Sequence, residues 1–309
     1  MTVVWLPDAD WASELAIPET VDVDIWASGL PLPRSASQVE FYVPEYLGPK
    51  SVVEVISQLP RVQVVQLLTA GYDHVLPHVR EGITVCNAAG VHDASTAELA
   101  VGLCIASLRG FPEFGRGQAE GHWLHSRHDA LADKRVLIVG FGPVGQAIAA
   151  RLAPFEVQLT VVAQSARPGV LGVADLDRIL PEIDVVILAV PLTPATRGLV
   201  DTHFLSRLPD DALIVNVSRG PVVETEALER ELQSGRLKAA LDVTDPEPLP
   251  SDHPLWRLPN VLITPHVGGN TSAFAPRAKR MLQAQLERFA AGTLLANVVV
   301  GSPHGSGRQ

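Results

Sequence analysis

The feature that most limits the fold of this sequence is the regular alternation of short apolar runs with longer helix-like stretches. Alternation of this kind is typical of α/β proteins built on a parallel sheet. Two sets of apolar runs flank a helix-like stretch at 94–108, which Asp93 or Ser95 can cap. The predicted strands lie in the runs 3–6, 21–26, 39–43, 62–68 and 83–86, and then in 134–140, 158–163, 184–190, 212–219, 239–247 and 261–266.

Less regular patterns complete the chain. The polar stretch 110–133, rich in glycine and histidine, predicts a loop with a short helix. Apolar residues at helical spacing predict a final helix at 273–291. The tail after Val300 has the composition of a disordered segment.

The composition of the 309 residues is that of a globular protein with room for two domains. The net charge is −10 without a dense run of lysine or arginine, so we expect neither nucleic acid nor an anionic membrane as a partner. The N-terminal residues do not resemble a signal peptide, and no apolar stretch reaches the roughly 20 residues of a membrane span. Cys86 and Cys104 match no metal or redox spacing, so we expect buried thiols and a cytoplasmic protein.

A glycine-rich motif, Gly140-Phe-Gly142-Pro143-Val144-Gly145, lies between a predicted strand and an apolar helix. This is the context in which such a motif binds a dinucleotide. The glycines permit a tight turn and let the amides at the helix N-terminus approach a pyrophosphate. The sequence therefore predicts a doubly wound Rossmann sheet around this motif.

The end of the following predicted strand favours NADP over NAD. NAD-binding units usually carry an acidic residue about 20 residues after the glycines, where it binds the ribose 2′-hydroxyl. This chain has Gln164 and Ser165 there, followed by Arg167. A carboxylate would repel a 2′-phosphate, whereas Arg167 and the Ser165 hydroxyl can bind one. We predict NADP, with NAD as the second choice; the alternative is that Arg167 is a solvated loop residue.

Three predicted strands of the second set end near side chains suited to carbonyl chemistry, namely Arg219, Glu247 and His266. If these strands are parallel neighbours, their ends meet at one crevice. His266 suits general acid–base work, and Glu247 can raise its pKa and fix its tautomer. Arg219 can grip the carbonyl and carboxylate of a 2-oxo acid. Each residue alone has an ordinary structural interpretation, but together they predict proton and hydride transfer at a carbonyl.

These motifs resemble the signature blocks of the D-isomer-specific 2-hydroxyacid dehydrogenases. The blocks are 140–145, 215–223, 241–248 and 264–271, and the resemblance covers nearly the whole chain. It implies an Arg219–Glu247–His266 catalytic set, a nicotinamide cofactor and a homodimer formed through the Rossmann domain. It also implies that the Rossmann domain, 103–280, is inserted into a flavodoxin-like substrate domain formed by 1–102 and 281–309.

The resemblance assigns further binding residues. The turn at 68–73 would present the amides of Ala70 and Gly71 to the substrate carboxylate, beside Arg219 and His266; the alternative is a plain strand-end turn. The Pro191 turn would form a rigid lip near the nicotinamide ribose; the alternative is a purely structural strand end. The expected cofactor contacts are Gly140, Gly142, Pro143, Val144, Gly145, Gln164, Ser165, Arg167, Val190, Pro191, Thr196, Val217, Ser218, Arg219, Asp242, His266, Gly268 and Gly269.

The sequence thus predicts a reductase of small 2-oxo acids that yields D-2-hydroxy acids. Gln164 is similar to the cofactor loop of NADPH-using glyoxylate and hydroxypyruvate reductases, whereas formate- or phosphoglycerate-type specificity stays open. An alternative from another class is a nucleotide-sensing corepressor of the same fold, which can retain catalytic residues. His122, His125 and His128 are spaced by three, but Gly121 and the lack of a carboxylate partner favour no metal site.

Overall fold

The computed structural model describes residues 1–303 and divides the chain into two compact units. The central unit is Asp93–Thr271, and the terminal unit combines Met1–His92 with the residues from Ser272 onward. The central unit starts at residue 93 instead of the predicted 103 because one continuous helix spans this region. It ends at residue 271 instead of 280, since the final helix, beginning at Phe274, belongs wholly to the terminal unit.

Strands and helices alternate through both units. The strands are β1 (Thr2–Leu6), β2 (Val21–Ile25), β3 (Val39–Tyr42), β4 (Val64–Gln66), β5 (Thr84–Cys86), β6 (Arg135–Val139), β7 (Gln158–Ala163), β8 (Leu171–Gly172), β9 (Val185–Leu188), β10 (Leu213–Asn216), β11 (Lys238–Leu241), β12 (Val261–Ile263) and β13 (Val298–Val300). The α-helices are α1 (Ala9–Glu14), α2 (Ser51–Glu54), α3 (Asp93–Leu108), α4 (Phe111–Glu120), α5 (Pro143–Leu152), α6 (Leu176–Ile179), α7 (Thr202–Ser206), α8 (Thr225–Gln233) and α9 (Phe274–Ala291). Within residues 1–303, no helix is both long and apolar enough to cross a membrane.

The sheet of the terminal unit has the order β13-β5-β4-β3-β1-β2. Apart from β13, neighbouring strands are parallel, and the order β2-β1-β3-β4-β5 is that of flavodoxin. The fully buried side chains of Trp5, Phe41 and Tyr42 anchor its core. The expected flavodoxin-like fold is confirmed. Strand β13, which pairs antiparallel with β5, was not predicted because three residues give too short a pattern.

The sheet of the central unit has the order β12-β11-β10-β9-β6-β7-β8, and every adjacent pair is parallel. The chain direction across the sheet reverses between β6 and β9, which is the switch point where doubly wound sheets bind ligands. The strands β9 and β10 are buried on both faces, as apolar runs of this kind predict. The Rossmann fold is thereby confirmed, with the two-residue β8 as an unpredicted edge.

The helices predicted around these sheets are present, since α3 and α9 match the expected helices within a residue at each end. The polar stretch after Leu108 forms α4 and then an irregular segment, as expected. Part of the predicted disordered tail is bonded to the terminal unit, because Thr84 donates to the carbonyl of Ser302 and the amide of Leu295 donates to that of Pro303. The rest of this prediction, 304–309, lies outside the described residues.

Candidate active site

The glycine-rich turn after β6 has two glycines enforced by packing and one that meets open space. A Cβ on Gly140 would collide with the carbonyl oxygen of Ala189, and a Cβ on Gly145 would collide with that of Gly140. Gly140 also has a φ of 105°, a backbone conformation that residues with a Cβ rarely adopt. A Cβ on Gly142 would meet nothing within 4 Å. The turn therefore offers free space at the N-terminus of α5, where backbone amides attract an anion such as a pyrophosphate.

The segment after β7 brings a cation to the glycine-rich turn. Gln164, Ser165 and Arg167 are all exposed. The guanidinium of Arg167 lies 5.8 Å from the ring centroid of Phe141, and its Nη2 donates to the Phe141 carbonyl at 3.3 Å. Arg167 is also held in a two-residue bridge with Val170. Its charge thus lies against the motif that the sequence assigns to the cofactor.

The turn after β9 is closed by the hydroxyl of Thr196. This hydroxyl donates to the carbonyl of Pro191 at 2.6 Å and accepts a hydrogen bond from the amide of Thr193 at 2.8 Å. Val190 precedes the turn and packs against the core of the central unit. Pro191 therefore lies in a rigid turn at the end of β9, as the sequence predicts. The cofactor contacts of Val190, Pro191 and Thr196 stay predictions.

The turn that carries Arg219 is organised by Asn216, a residue that the sequence did not single out. Asn216 is buried at the end of β10 and accepts hydrogen bonds from the amide and the hydroxyl of Ser218. Its Nδ2 donates to the carbonyl of Arg219 at 3.0 Å. A Cβ on Gly220 would overlap the carbonyl of Thr244, so the turns after β10 and β11 are in direct contact. Arg219 therefore begins a tightly fixed segment beside the Glu247 loop.

Glu247 and His266 form a hydrogen-bonded pair, with Oε1 of Glu247 2.5 Å from Nδ1 of His266. Burial raises the pKa of Glu247, but the hydrogen bond and charge of His266, the Thr244 amide and the Arg219 charge outweigh it, so the pKa is lowered. The strands β10, β11 and β12 are parallel neighbours, as their assignment to one crevice requires. The structure therefore brings Arg219, Glu247 and His266 together at the carboxyl ends of these strands.

The backbone at His266 is left-handed, with a φ of 52°. Its amide donates to the carbonyl of Asp242 at 2.8 Å. The buried carboxylate of Asp242 accepts from the Thr264 hydroxyl at 2.6 Å and from the amides of Val267 and Gly268, both at 2.9 Å. Asp242 thus stabilises the turn that carries His266. Asp242 is predicted from the sequence as a cofactor contact, and the sequence gives no indication of this structural role.

The predicted carboxylate turn of the terminal unit has two unpaired backbone donors. Among the described residues, the amides of Ala70 and Gly71 donate to no acceptor. The carbonyl of Ala70 accepts from Nδ2 of Asn87 at 2.7 Å, and the carbonyl of Gly71 accepts from the Thr69 hydroxyl at 2.7 Å. Neighbouring backbone amides without an acceptor can bind an anion.

The three spaced histidines do not converge. His122 pairs with Glu120 at 3.2 Å, and His128 pairs with Glu113 at 3.5 Å, so both have carboxylate partners that the sequence did not indicate. Residues 1–303 contain no group of three side chains that could hold a metal ion. Cys86 and Cys104 are buried free thiols, and burial raises the pKa of each to about 12.

Comparison with known proteins agrees with this geometry. Residues 101–268 match the family model described as "D-isomer specific 2-hydroxyacid dehydrogenase, NAD binding domain". The mouse glyoxylate reductase/hydroxypyruvate reductase is 38% identical over 224 residues, which cover 68% of this chain and 68% of that protein.

Two solved structures show the similarity over nearly the whole chain. A D-isomer specific 2-hydroxyacid dehydrogenase from Xanthobacter autotrophicus, in complex with NADPH and MES, has a TM-score of 0.81 at 29% identity and covers 97% of this chain and 98% of that one. An NAD-dependent formate dehydrogenase from Staphylococcus aureus, in complex with NAD, has a TM-score of 0.77 at 29% identity and covers 98% of this chain and 100% of that one.

The fold and the three strand-end residues define a dinucleotide-dependent oxidoreductase. The chain belongs to the D-isomer specific 2-hydroxyacid dehydrogenase family. It is accordingly an NAD(P)-dependent enzyme of the 2-hydroxyacid dehydrogenase type.

Proposed function

We propose that this enzyme reduces a small 2-oxo acid, of the glyoxylate or hydroxypyruvate kind, to a D-2-hydroxy acid and prefers NADPH to NADH. The observation that carries the proposal is the 2.5 Å hydrogen bond between Glu247 and His266, with the charge of Arg219 acting on the same carboxylate. An acid–base imidazole beside a guanidinium matches the needs of a carbonyl that gains a proton and a hydride.

The glycine-rich turn fits a dinucleotide, because Gly142 meets open space at the N-terminus of α5 while Gly140 and Gly145 allow close packing. We assign the pyrophosphate to the backbone N–H groups of Gly142, Val144 and Gly145. Pro143, which has no N–H, contributes its fixed φ at the first position of the helix. When bound, the nicotinamide supplies the hydride. Val217, Ser218, Gly268 and Gly269 complete the proposed cofactor set.

His266 is proposed as the general acid of the reduction. The carboxylate of Glu247 can only accept a hydrogen bond, so the bond between Glu247 and His266 places a proton on Nδ1 of His266. The protonated imidazole then donates its second proton, from Nε2, to the carbonyl oxygen of the substrate. It retains the Nδ1 proton and the hydrogen bond to Glu247, so that the neutral ring has a single tautomer. In the reverse direction Nε2 accepts the proton of the hydroxyl group.

Arg219 is proposed to orient the substrate. A guanidinium can donate to a carbonyl oxygen and to a carboxylate at once, which polarises the carbonyl and aligns it for proton transfer. The unpaired amides of Ala70 and Gly71 are proposed to bind the substrate carboxylate. The name of the mouse relative, glyoxylate reductase/hydroxypyruvate reductase, supports a small substrate.

The preference for NADPH rests on the segment after β7. Arg167 lies against Phe141 of the glycine-rich turn, and Gln164 stands where an acidic residue would repel a 2′-phosphate. The NADPH complex of the Xanthobacter relative supports this choice. The formate dehydrogenase relative binds NAD, so NADH is the competing cofactor in the assay that tests this preference.

The test is an assay of the purified protein that crosses NADPH and NADH with glyoxylate, hydroxypyruvate, pyruvate and bulkier 2-oxo acids. We expect turnover of the small acids with a higher kcat/KM for NADPH. Equal or better use of NADH would overturn the cofactor preference. No turnover of any 2-oxo acid, together with tight cofactor binding, would overturn the proposed reaction and favour the nucleotide-sensing alternative.

We also propose that the enzyme acts in the cytoplasm as a homodimer formed through its central unit. The two buried cysteine thiols suit a reducing compartment. Light scattering of the purified protein at several concentrations tests the dimer, and a monomer at all concentrations would contradict it. The distribution of the protein between cell fractions tests the location.

A further inference from the structure

The backbone turn at Thr69–Gly71 is fixed from one side by the chain segment that follows β5. The carbonyl of Thr69 accepts a hydrogen bond from the amide of Ala88 at 2.9 Å. The carbonyl of Ala70 accepts from the side-chain Nδ2 of Asn87 at 2.7 Å. Two successive peptide groups of the turn are thus held by two successive residues of the neighbouring segment.

These two bonds also determine where the amides of the turn point. In a trans peptide the N–H and the C=O lie in one plane and point in opposite directions. Fixing the carbonyl of Thr69 therefore fixes the N–H of Ala70, and fixing the carbonyl of Ala70 fixes the N–H of Gly71. Both N–H groups point away from the Asn87–Ala88 segment, and neither has an acceptor among the described residues.

Asn87 is itself fixed by buried amide side chains. Its backbone carbonyl accepts from Nε2 of Gln66 at 3.2 Å, and Oε1 of Gln66 accepts from Gln285 of α9 at 2.9 Å. Both glutamines are buried, with exposures of 0% and 1%. Burying two amide side chains carries a desolvation penalty unless they are hydrogen-bonded, so their bonds hold this geometry firmly.

The segment before β13 completes the support. The amide of Asn87 donates to the carbonyl of Asn297 at 3.0 Å, and Nδ2 of Asn297 donates to the carbonyl of Ala89 at 3.0 Å. Oδ1 of Asn87 accepts from the amide of Ala89 at 3.2 Å. Asn87 therefore has its backbone and its side chain fixed, and only one of its contacts reaches the turn.

We propose that Asn87 is a positioning residue for the substrate carboxylate, which acts by holding the carbonyl of Ala70 so that the amides of Ala70 and Gly71 stay directed at the ligand. This inference rests on the proposed function, in which these amides bind the carboxylate. Asn87 acts through the turn and does not touch the substrate.

The test is the variant Asn87→Ala, which removes the side-chain bond without adding a charge that would repel an anionic substrate. We expect KM for glyoxylate to rise about tenfold, since one hydrogen bond that orients a charge-binding group is lost. The KM for NADPH is expected to stay unchanged. The inhibition constant of oxamate, which carries the same carboxylate, is expected to rise by the same factor.

The matched control is Asn260→Ala in the central unit. Nδ2 of Asn260 also donates to backbone carbonyls, those of Leu232 and Leu237, but it lies in the other unit. We expect this variant to leave KM for glyoxylate and the oxamate constant unchanged. If both variants lower kcat and the unfolding temperature without moving KM, Asn87 has only a structural role and the inference is overturned.

A substrate without a carboxylate separates the inference from the proposed function. For glycolaldehyde, Asn87→Ala should leave KM unchanged; an equal rise for glycolaldehyde and glyoxylate would overturn the positioning role while the proposed reaction stands. If the unaltered enzyme turns over no 2-oxo acid, the proposed function fails first and the inference with it. Should Asn87→Ala not fold, Asn87→Ser, which also removes the Nδ2 donor to the Ala70 carbonyl but stays polar, must raise KM for glyoxylate but not for glycolaldehyde.

Discussion

Oε1 of Glu247 lies 2.5 Å from Nδ1 of His266, and both side chains are 39% exposed. The pair is thus accessible to a ligand and at the same time held by turns that are fixed by buried residues. Because the carboxylate occupies Nδ1, the acid–base role that we propose for His266 falls to Nε2, on the opposite side of the ring.

The first prediction concerns the charge of Glu247. In Glu247→Gln the side chain keeps its shape and one oxygen acceptor but loses the negative charge beside the ring, and its amide N–H can face Nδ1 instead, so the Nδ1–H tautomer is no longer fixed. We expect kcat for 2-oxo acid reduction to fall by about 10²- to 10⁴-fold, the usual contribution of general acid–base catalysis. Steady-state assays at saturating NADPH test this, and an unchanged kcat would separate Glu247 from the proton transfer.

The second prediction concerns the pH dependence of stability. The pKa of Glu247 is lower in the folded chain than its ordinary value. At pH values above that ordinary value the carboxylate is ionised in both the folded and the unfolded state, and its full contribution to the free energy of unfolding is present. As pH falls through the lowered pKa, the carboxylate is protonated and the stabilisation is lost. The unfolding temperatures of the unaltered enzyme and Glu247→Gln should therefore differ at pH 7 and converge in acid. A difference that grows in acid would contradict this sign.

The third prediction concerns the cofactor segment. Arg167→Ala removes the cation beside the glycine-rich turn, so we expect KM for NADPH to rise at least tenfold while KM for NADH changes little. Gln164→Asp should act in the same direction because its carboxylate repels a 2′-phosphate and can bind a 2′-hydroxyl. Arg178→Ala is a suitable control, since this exposed arginine pairs with Asp175 in the same unit. If KM for NADPH and KM for NADH rose by the same factor, Arg167 would not distinguish a 2′-phosphate from a 2′-hydroxyl.

The fourth prediction concerns the contact between the turns after β10 and β11. In Gly220→Ala the new Cβ would overlap the carbonyl of Thr244 and displace the segment that begins with Arg219. We expect a loss of about 1–3 kcal/mol in the free energy of unfolding and a strong loss of kcat/KM. Gly115→Ala in α4 is the control, because its Cβ would meet nothing within 4 Å. Chemical denaturation and steady-state kinetics measure both effects.

The fifth prediction concerns Asp242. Its carboxylate accepts three hydrogen bonds, so Asp242→Asn turns one acceptor into a donor that faces another donor. We expect a loss of about 1–3 kcal/mol from the buried mismatch. Since this turn holds His266 in its left-handed conformation, kcat should fall as well. A destabilised variant with full kcat would show that the turn tolerates the change.

Patterns close together in the sequence predicted most of the fold. The strand before Gly140, the helix after it and the side chains at the ends of β10, β11 and β12 all follow from local periodicity and turn chemistry. The same reasoning identified Arg219, Glu247 and His266, because parallel neighbours bring the ends of their strands together. The family match confirms the Rossmann fold, and the strand pairing confirms that β10, β11 and β12 are parallel neighbours, whereas the roles of the three residues stay predictions.

Residues that stabilise the site through distant contacts could not be identified in this way. Asn216 and Asn87 are ordinary polar residues after apolar runs, and only the folded chain shows which carbonyls they bind. The bond between Gln66 and Gln285 joins residues that are 219 positions apart. Strand β13 is equally invisible, because its three residues form a strand only through pairing with β5.

The division of the chain has a consequence for its synthesis. The central unit is one continuous segment, whereas the terminal unit needs α9 and β13 from the end of the chain to complete what Met1–His92 begins. On the ribosome, the first strands of the terminal sheet must therefore wait while the whole central unit emerges and folds. The turn at Ala70 and Gly71 reaches its final support only after Gln285 and Asn297 have left the exit tunnel, so a nascent chain would complete its Rossmann sheet before the turn proposed to bind the carboxylate.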